Sequence, residues 1–309
     1  MLKVFMLVVV GLAGDPEHGK TFHRWGTTLA EASVRAGVAP ERLVYLVDQP
    51  MEGDAHVSGR ATREEVTRAL ERFAATAEPD DLVFVTLIGH GSFDGRAAKF
   101  NMPGPDMGPE EFAALLRKLR TKQVVFVNTA SASGPFVEAL SAPGRTVVAS
   151  TRSGAEHFTA LFGGFFVDAL NSPAADADKN RRISVLEAFQ FAKAEVTRAY
   201  EREGLLATEH ALLDDDGDKK GSPDPSATGA DGKVAAVLSL GDAGDDGLPS
   251  DPKLRALHVE RRELERRVEA LRLLKDSMDP SRYSSELEKL VTSIAQSSKP
   301  SMMSPLPTG

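Results

Sequence analysis

From Leu2 to about Leu170 the chain alternates short apolar runs with longer amphipathic stretches. The apolar runs are Val4–Val10, Arg42–Val47, Leu82–Ile88, Val124–Val127 and Thr146–Ser150. Each is a length of chain that a fully buried strand needs. Helical patterns lie between and after them, at about Thr21–Ala36, Arg63–Ala77, Pro109–Leu119, Pro135–Leu140 and Phe158–Leu170. Thr62 stands as an N-cap with Glu65 three residues on, a capping box that starts the second helix. Strands without polar alternation, separated by helices, predict an α/β fold whose mainly parallel sheet is sandwiched by helices. In such sheets the chemistry gathers in the loops at the carboxyl ends of the strands.

The pattern changes after Leu170. An acidic loop precedes a long helix at Val185–Glu203, and the Gly-, Asp-, Pro- and Ser-rich stretch Asp214–Pro252 reads as a loop or linker with little to bury. Two further helical patterns, Arg255–Leu274 and Ser281–Ser297, are joined at Asp279-Pro280. Leu257, Leu264, Val268 and Leu271 form one apolar stripe; Tyr283, Leu287, Leu290 and Ile294 form the other. Such stripes joined by a short turn predict an antiparallel helical hairpin that serves as a packing or interaction module. The expected organisation is a main domain over 1–212, a linker over 213–253, the hairpin over 254–298 and a disordered tail from 299.

Composition narrows the functions. The 309 residues carry a net charge of -8, which argues against a phosphate-backbone partner such as nucleic acid. No stretch is long and apolar enough for a membrane span. With no cysteine there is no disulfide, thiolate metal site or cysteine nucleophile. The first apolar run has two readings. As a buried strand it places the chain in the cytoplasm; as a signal segment with Ala13 at a cleavable position it implies export. The strand is the favoured reading, because removing the run would delete the first unit of a regular pattern.

Three segments carry candidate chemistry. Gly14-Asp-Pro-Glu-His-Gly19-Lys20-Thr21 matches the spacing of a phosphate-cradling P-loop and leaves open a nucleotide-binding protein that uses Lys20 and Thr21. Its chemistry is poor: Pro16 lacks an N–H donor, and Asp15 and Glu17 put negative charge where phosphate would sit. The second candidate is His90 between Gly89 and Gly91, at the end of one apolar run, with the hydroxyl of Ser131 just past the end of the next. Two successive strand ends bearing a base and a hydroxyl can meet in a nucleophilic site.

The third candidate is a pair of acidic loops. Asp176, Asp178, Asn180, Ser184 and Glu187 fall at positions 1, 3, 5, 9 and 12 of an EF-hand calcium loop. Arg181 stands where the turn glycine belongs, and Ser184 with Glu187 also forms a helix-capping box. Asp214, Asp216 and Asp218 repeat the alternating-carboxylate start but lack a twelfth-position glutamate. Calcium is the ion that either loop would take; the alternatives are a solvated acidic loop that caps a helix for the first and a flexible acidic turn for the second. Thr208-Glu209-His210, just upstream, either faces the site or packs.

His90-Gly91-Ser92 after one strand and Ala130-Ser131-Ala132-Ser133-Gly134 after the next resemble the His-Gly and Ala-Cys-x-Ser-Gly motifs of the legumain/caspase-like cysteine peptidases. The resemblance extends over about Phe5 to Glu156, including the run ending at Asp48 and the Val147-Val148-Ala149-Ser150-Thr151 strand end. It implies a caspase-like core and a site at His90 and Ser131, with backbone N–H groups near Gly91 and Ser131 as oxyanion donors. Ser131 stands where that family keeps its cysteine. A hydroxyl needs a well-oriented base that a thiolate does not, so the expected protein is a pseudopeptidase that binds peptide or protein partners. A weakly active serine hydrolase is the alternative.

Overall fold

The computed structural model describes residues 3–50, 53–240 and 278–297, with residues 257, 260, 261, 264, 267, 268, 271, 272 and 275 between them. The strands in chain order are β1 (Val4–Val10), β2 (Leu43–Val47), β3 (Val57–Arg60), β4 (Leu82–Ile88), β5 (Gly91–Phe93), β6 (Ala98–Phe100), β7 (Gln123–Asn128), β8 (Arg145–Ala149) and β9 (Leu212–Asp214). The helices are α1 (Pro16–Arg35), α2 (Arg63–Thr76), α3 (Pro109–Leu116), α4 (Pro135–Leu140), α5 (Phe162–Ala169), α6 (Val185–Glu203) and α7 (Pro280–Ser297). Among the described residues no helix is long and apolar enough to cross a membrane.

Seven strands form one sheet in the order β3-β2-β1-β4-β7-β8-β9. Every pairing is parallel except that of β8 with the edge strand β9, where Val148 faces Leu213. The apolar run Val4–Val10 is β1, held between β2 and β4 and buried along its whole length. Alternate strand residues feed two cores. Met6, Val8, Tyr45, Phe84 and Val127 pack with Phe22 of α1, Phe166 of α5 and Phe189 of α6. Leu7, Val9, Leu46, Val85 and Phe126 pack with Phe73 of α2, Phe112 of α3 and Phe136 of α4 on the other face. The sheet is therefore sandwiched by helices, as the unbroken apolar strands predicted.

Some elements differ from the expectation. α1 begins at Pro16 rather than Thr21, because Asp15 is an N-cap whose carboxylate accepts from Glu17 and His18 N–H, and Pro16 suits the first turn. β3 and the β5–β6 hairpin are short, and their exposed residues break the apolar pattern; β9 is only three residues long and ends in Asp214. The stretch read as a loop with little to bury is built into the main unit well past 212. Leu213, Asp214, Ala235, Leu238 and Leu240 are buried there, because β9 closes the sheet edge and Val185 and Leu186 N–H donate to the carbonyls of Leu238 and Ala235. The remainder of the expected linker, from 241, and the tail from 299 lie outside the described residues.

The C-terminal unit has its own small cluster. Leu264, Val268 and Leu271, from the first stripe of the expected hairpin, are buried with Leu290 of α7, and Tyr283, Leu287 and Ile294 pack against them.

Candidate functional site

The carboxyl ends of β1, β4, β7 and β8 lie side by side, and their loops carry the polar residues of interest. His90 follows β4 and Ser131 follows β7, the neighbouring strand. The two segments approach so closely that a Cβ at Gly91 would lie 2.1 Å from the Ser131 carbonyl oxygen. Only a residue without a side chain fits between those backbones. Ala132, next to Ser131, has φ of 53°, a left-handed conformation that costs an L-residue about 1–2 kcal/mol. Its N–H is anchored on the Glu156 carbonyl at 2.8 Å.

His90 is half-buried and well oriented. Its Nε2 lies 2.9 Å from the Ala13 carbonyl oxygen in the β1 loop. A carbonyl can only accept, so Nε2 carries the proton and Nδ1 of the neutral ring is left as an acceptor. The ring packs edge-on against His18 and Phe22, with centroids 5.0 Å away in each case. Burial, and then the neighbouring His18, hold its pKa below the usual histidine value, so the ring is neutral at neutral pH. That state suits a general base.

Ser131 is only 2% exposed. Its Oγ accepts from the Gly91 N–H at 3.2 Å and donates to the Gly91 carbonyl at 3.1 Å. The hydroxyl proton is thus directed at a backbone oxygen, and the Gly91 amide expected to serve as an oxyanion donor is taken by the hydroxyl itself. The loop around it is fastened by buried hydroxyls. Ser133 Oγ lies 3.1 Å from both Ser150 Oγ and Thr151 Oγ1 and accepts from Thr151 N–H. Thr151 Oγ1 in turn accepts from Gly134 N–H, and Ser150 Oγ donates to the Ala130 carbonyl.

Pattern reading missed the second histidine. His18 Nδ1 pairs with Asp15 at 2.5 Å and its Nε2 lies 3.3 Å from Thr159 Oγ1. Both residues stood inside the segment that matched a phosphate loop. Glu17 and His18, whose amides a phosphate would need, donate to Asp15 instead. Next to the Ala13–Asp15 loop opens a cleft of about 1020 Å³ whose walls include Lys20, His23, Arg24, Asp48 and Asp54.

The Thr208-Glu209-His210 segment reaches the rim of this centre. His210 Nδ1 lies 2.7 Å from Glu156 Oε1, and Glu209 accepts from the Leu161 and Phe162 N–H groups at the start of α5. Burial, and more weakly the Glu156 charge, raise the Glu209 pKa above its usual 4.5. A carboxyl whose folded pKa is raised binds its proton more tightly in the native state. Its contribution is therefore fully present below 4.5 and is lost as pH rises through the folded value. Glu209→Gln is expected to flatten the fall in melting temperature above about pH 4.5. An unchanged slope in chelator-treated protein would count against this assignment.

The two acidic loops each bring carboxylates together. Oxygens of Asp176, Asp178 and Glu187 lie within 4.8 Å of one another, as do those of Asp214, Asp216 and Asp218. Both turns have positive φ at the fourth and sixth positions: Lys179 and Arg181 in the first, Gly217 and Lys219 in the second. Either group can hold a metal ion. In the first loop the carboxylates are already employed. Glu187 Oε1 accepts from Ala177 and Asp178 N–H, while its Oε2 accepts from Ser184 N–H and Oγ. Asp176 accepts from Asn180 and Arg181 N–H, and Asn180 Oδ1 from Arg182 N–H. The capping box is formed by the same atoms.

No protein-family model matches the chain, and no curated protein is similar to it. Among solved structures, the crystal structure of protein GSU0716 from Geobacter sulfurreducens is similar over 72% of this chain and 95% of its own, at 14% identity and a TM-score of 0.44. A likeness of that size carries neither fold nor function. The class defined by the molecule itself is a helix-sandwiched, mainly parallel α/β protein with a histidine and a serine on adjacent strand ends.

Proposed function

We propose that this chain is a legumain/caspase-like pseudopeptidase that holds a peptide or protein segment in the cleft next to the Ala13–Asp15 loop, whose Ala13 carbonyl holds His90. The observation that carries the reading is the double hydrogen bond of Ser131 Oγ to the backbone of Gly91. A working serine nucleophile hands its proton to an imidazole nitrogen. Here the proton goes to a carbonyl, and the hydroxyl is enclosed. The order of elements supports the family: a histidine loop and a short hairpin follow β4, and the serine follows β7 beside it. The imidazole is still set up as a base, with Nε2 held by a carbonyl, as a scaffold built for a more reactive nucleophile would keep it. The same reading takes calcium as the ion of the acidic loops, since their ligands are hard oxygens with no nitrogen or sulfur donor.

A fluorophosphonate serine-hydrolase probe tests this directly. The protein is expected to stay unlabelled and to cleave no member of a peptide library, while Ser131→Cys cleaves and loses that activity with His90→Ala. Labelling of the unaltered protein at Ser131 that disappears with His90→Ala would establish a serine hydrolase instead. Silence in Ser131→Cys as well would remove the peptidase scaffold from consideration.

A further inference from the structure

The second acidic loop has a feature that the first lacks. Asp214 is fully buried at the end of β9. Its Oδ1 accepts from Gly217 N–H at 3.2 Å, but its Oδ2 is buried with no hydrogen-bond partner. A buried carboxylate oxygen left without donor or counter-charge is costly. Asp216 and Asp218 point oxygens at the same spot. Each of these two is exposed and uses one oxygen for a backbone N–H, that of Asp218 or Lys220. Among the described residues no ion pair with Lys, Arg or His reaches any of the three. No cationic side chain compensates the charge gathered here, the Ser141 hydroxyl and backbone N–H groups being the donors that answer it, and a small hard cation is the species that removes the remaining penalty.

The turn lacks the glutamate that closes a twelve-residue calcium loop, because position twelve is Pro225. Asp215 N–H donates to Asp231 Oδ1 at 3.0 Å, and the Asp215 carboxylate accepts from Gly232 and Ala235 N–H, which fastens the 231–235 segment beside the acidic turn. Asp231 is 7% exposed.

We infer that Asp214, Asp216 and Asp218 form a divalent-cation site, the tighter of the two acidic loops. This deepens the oxygen-ligand reading of the acidic loops given above and reverses their order: the loop with the better sequence match has satisfied its own oxygens, and the loop with the poorer match has not. The ion would fix the end of β9 to the turn that follows it. β9 follows directly on Glu209 and His210, so the site also steadies the rim of the His90 centre.

The test uses the full chain after chelator treatment, titrated with calcium alone and followed by melting temperature and calorimetric stoichiometry. A cation that binds only the native state raises the melting temperature. Asp218→Asn is expected to weaken the tighter binding step at least about tenfold, whereas Asp178→Asn in the first loop leaves it in place. Asp214→Asn carries the sharpest signature. Without calcium it is expected to melt no lower than the unaltered protein, because it removes a buried uncompensated charge. With calcium it fails to show the rise. The inference is overturned if calcium produces no rise, if Asp218→Asn and Asp214→Asn keep it, or if Asp178→Asn abolishes it. The last outcome would leave calcium at the first loop standing and remove only this site, and none of these results bears on the Ser131 test.

Discussion

Gly91→Ala is expected to be among the most damaging single-methyl changes in this protein. The added carbon would meet the Ser131 carbonyl oxygen at 2.1 Å and the Lys99 carbonyl oxygen at 3.2 Å. Both are backbone atoms, so no side-chain rotation relieves the clash. The loop after β4 must move from the loop after β7, or the hairpin strand β5 must leave β6. Either movement breaks the two bonds between Ser131 Oγ and Gly91. Forcing extra atoms into a packed interior costs about 1–3 kcal/mol, occasionally more, and this position belongs at the upper end. At roughly 2–4 °C per kcal/mol for a unit of this size, the melting temperature falls by roughly 6–12 °C. Gly59→Ala is the control, because the nearest atom to its added carbon is a Leu46 side-chain carbon at 3.8 Å. A Gly91→Ala chain that melts within about 2 °C of the unaltered protein, on the same scale, would mean that the two loops do not approach as described.

The second large effect is expected in the hydroxyl network behind Ser131. Ser133→Ala leaves the buried Thr151 N–H without its acceptor, and Thr151→Val leaves Gly134 N–H in the same condition. A buried donor left unsatisfied costs about 1–3 kcal/mol, so each single change is expected to lower stability by about 2 kcal/mol in urea denaturation. The two residues also share the 3.1 Å hydroxyl contact. Once either is gone, the other has already lost part of its purpose. The double variant should therefore cost less than the sum of the singles, by about 0.5 kcal/mol or more. Strict additivity would show that the loop after β7 is held by packing alone. Any peptide binding measured in parallel should weaken with the single variants, since this network shapes the floor on which Ser131 sits.

Much of the architecture was legible because burial leaves a strong mark. A strand covered on both faces must be largely apolar, and β1 is so throughout, β4 but for the buried Thr86, and β7 but for Gln123 and Asn128 at its ends. The start of α2 was legible for a local reason, as Thr62 accepts from Glu65 N–H in the structure. Short-range chemistry also placed the capping box at Ser184 and Glu187. The segment Gly14–Thr21 matched a phosphate-loop spacing for the opposite reason: a spacing of glycines and a lysine can be met without regard to what Asp15 does. The carboxylate takes the amides that the pattern assigns to phosphate.

The sequence by itself determined the alternation of strand and helix, and with it the parallel sheet and the residues that end its strands. It also set the ligand types of the acidic loops and the absence of a thiol, because these are properties of local pattern and residue chemistry. Tertiary structure alone decided the rest. The Ala13 carbonyl orients His90 across 77 positions, and Gly91 captures the Ser131 hydroxyl across 40. Short edge elements such as β9 acquire order only from the sheet they join, so the Asp-rich stretch around them reads as solvent-facing until Asp214 is seen buried against it. Which acidic loop most needs a cation depends on one carboxylate oxygen that the folded chain has left without a partner. Satisfaction of a polar atom is a three-dimensional property, set by which backbone groups the remaining chain brings within hydrogen-bond reach.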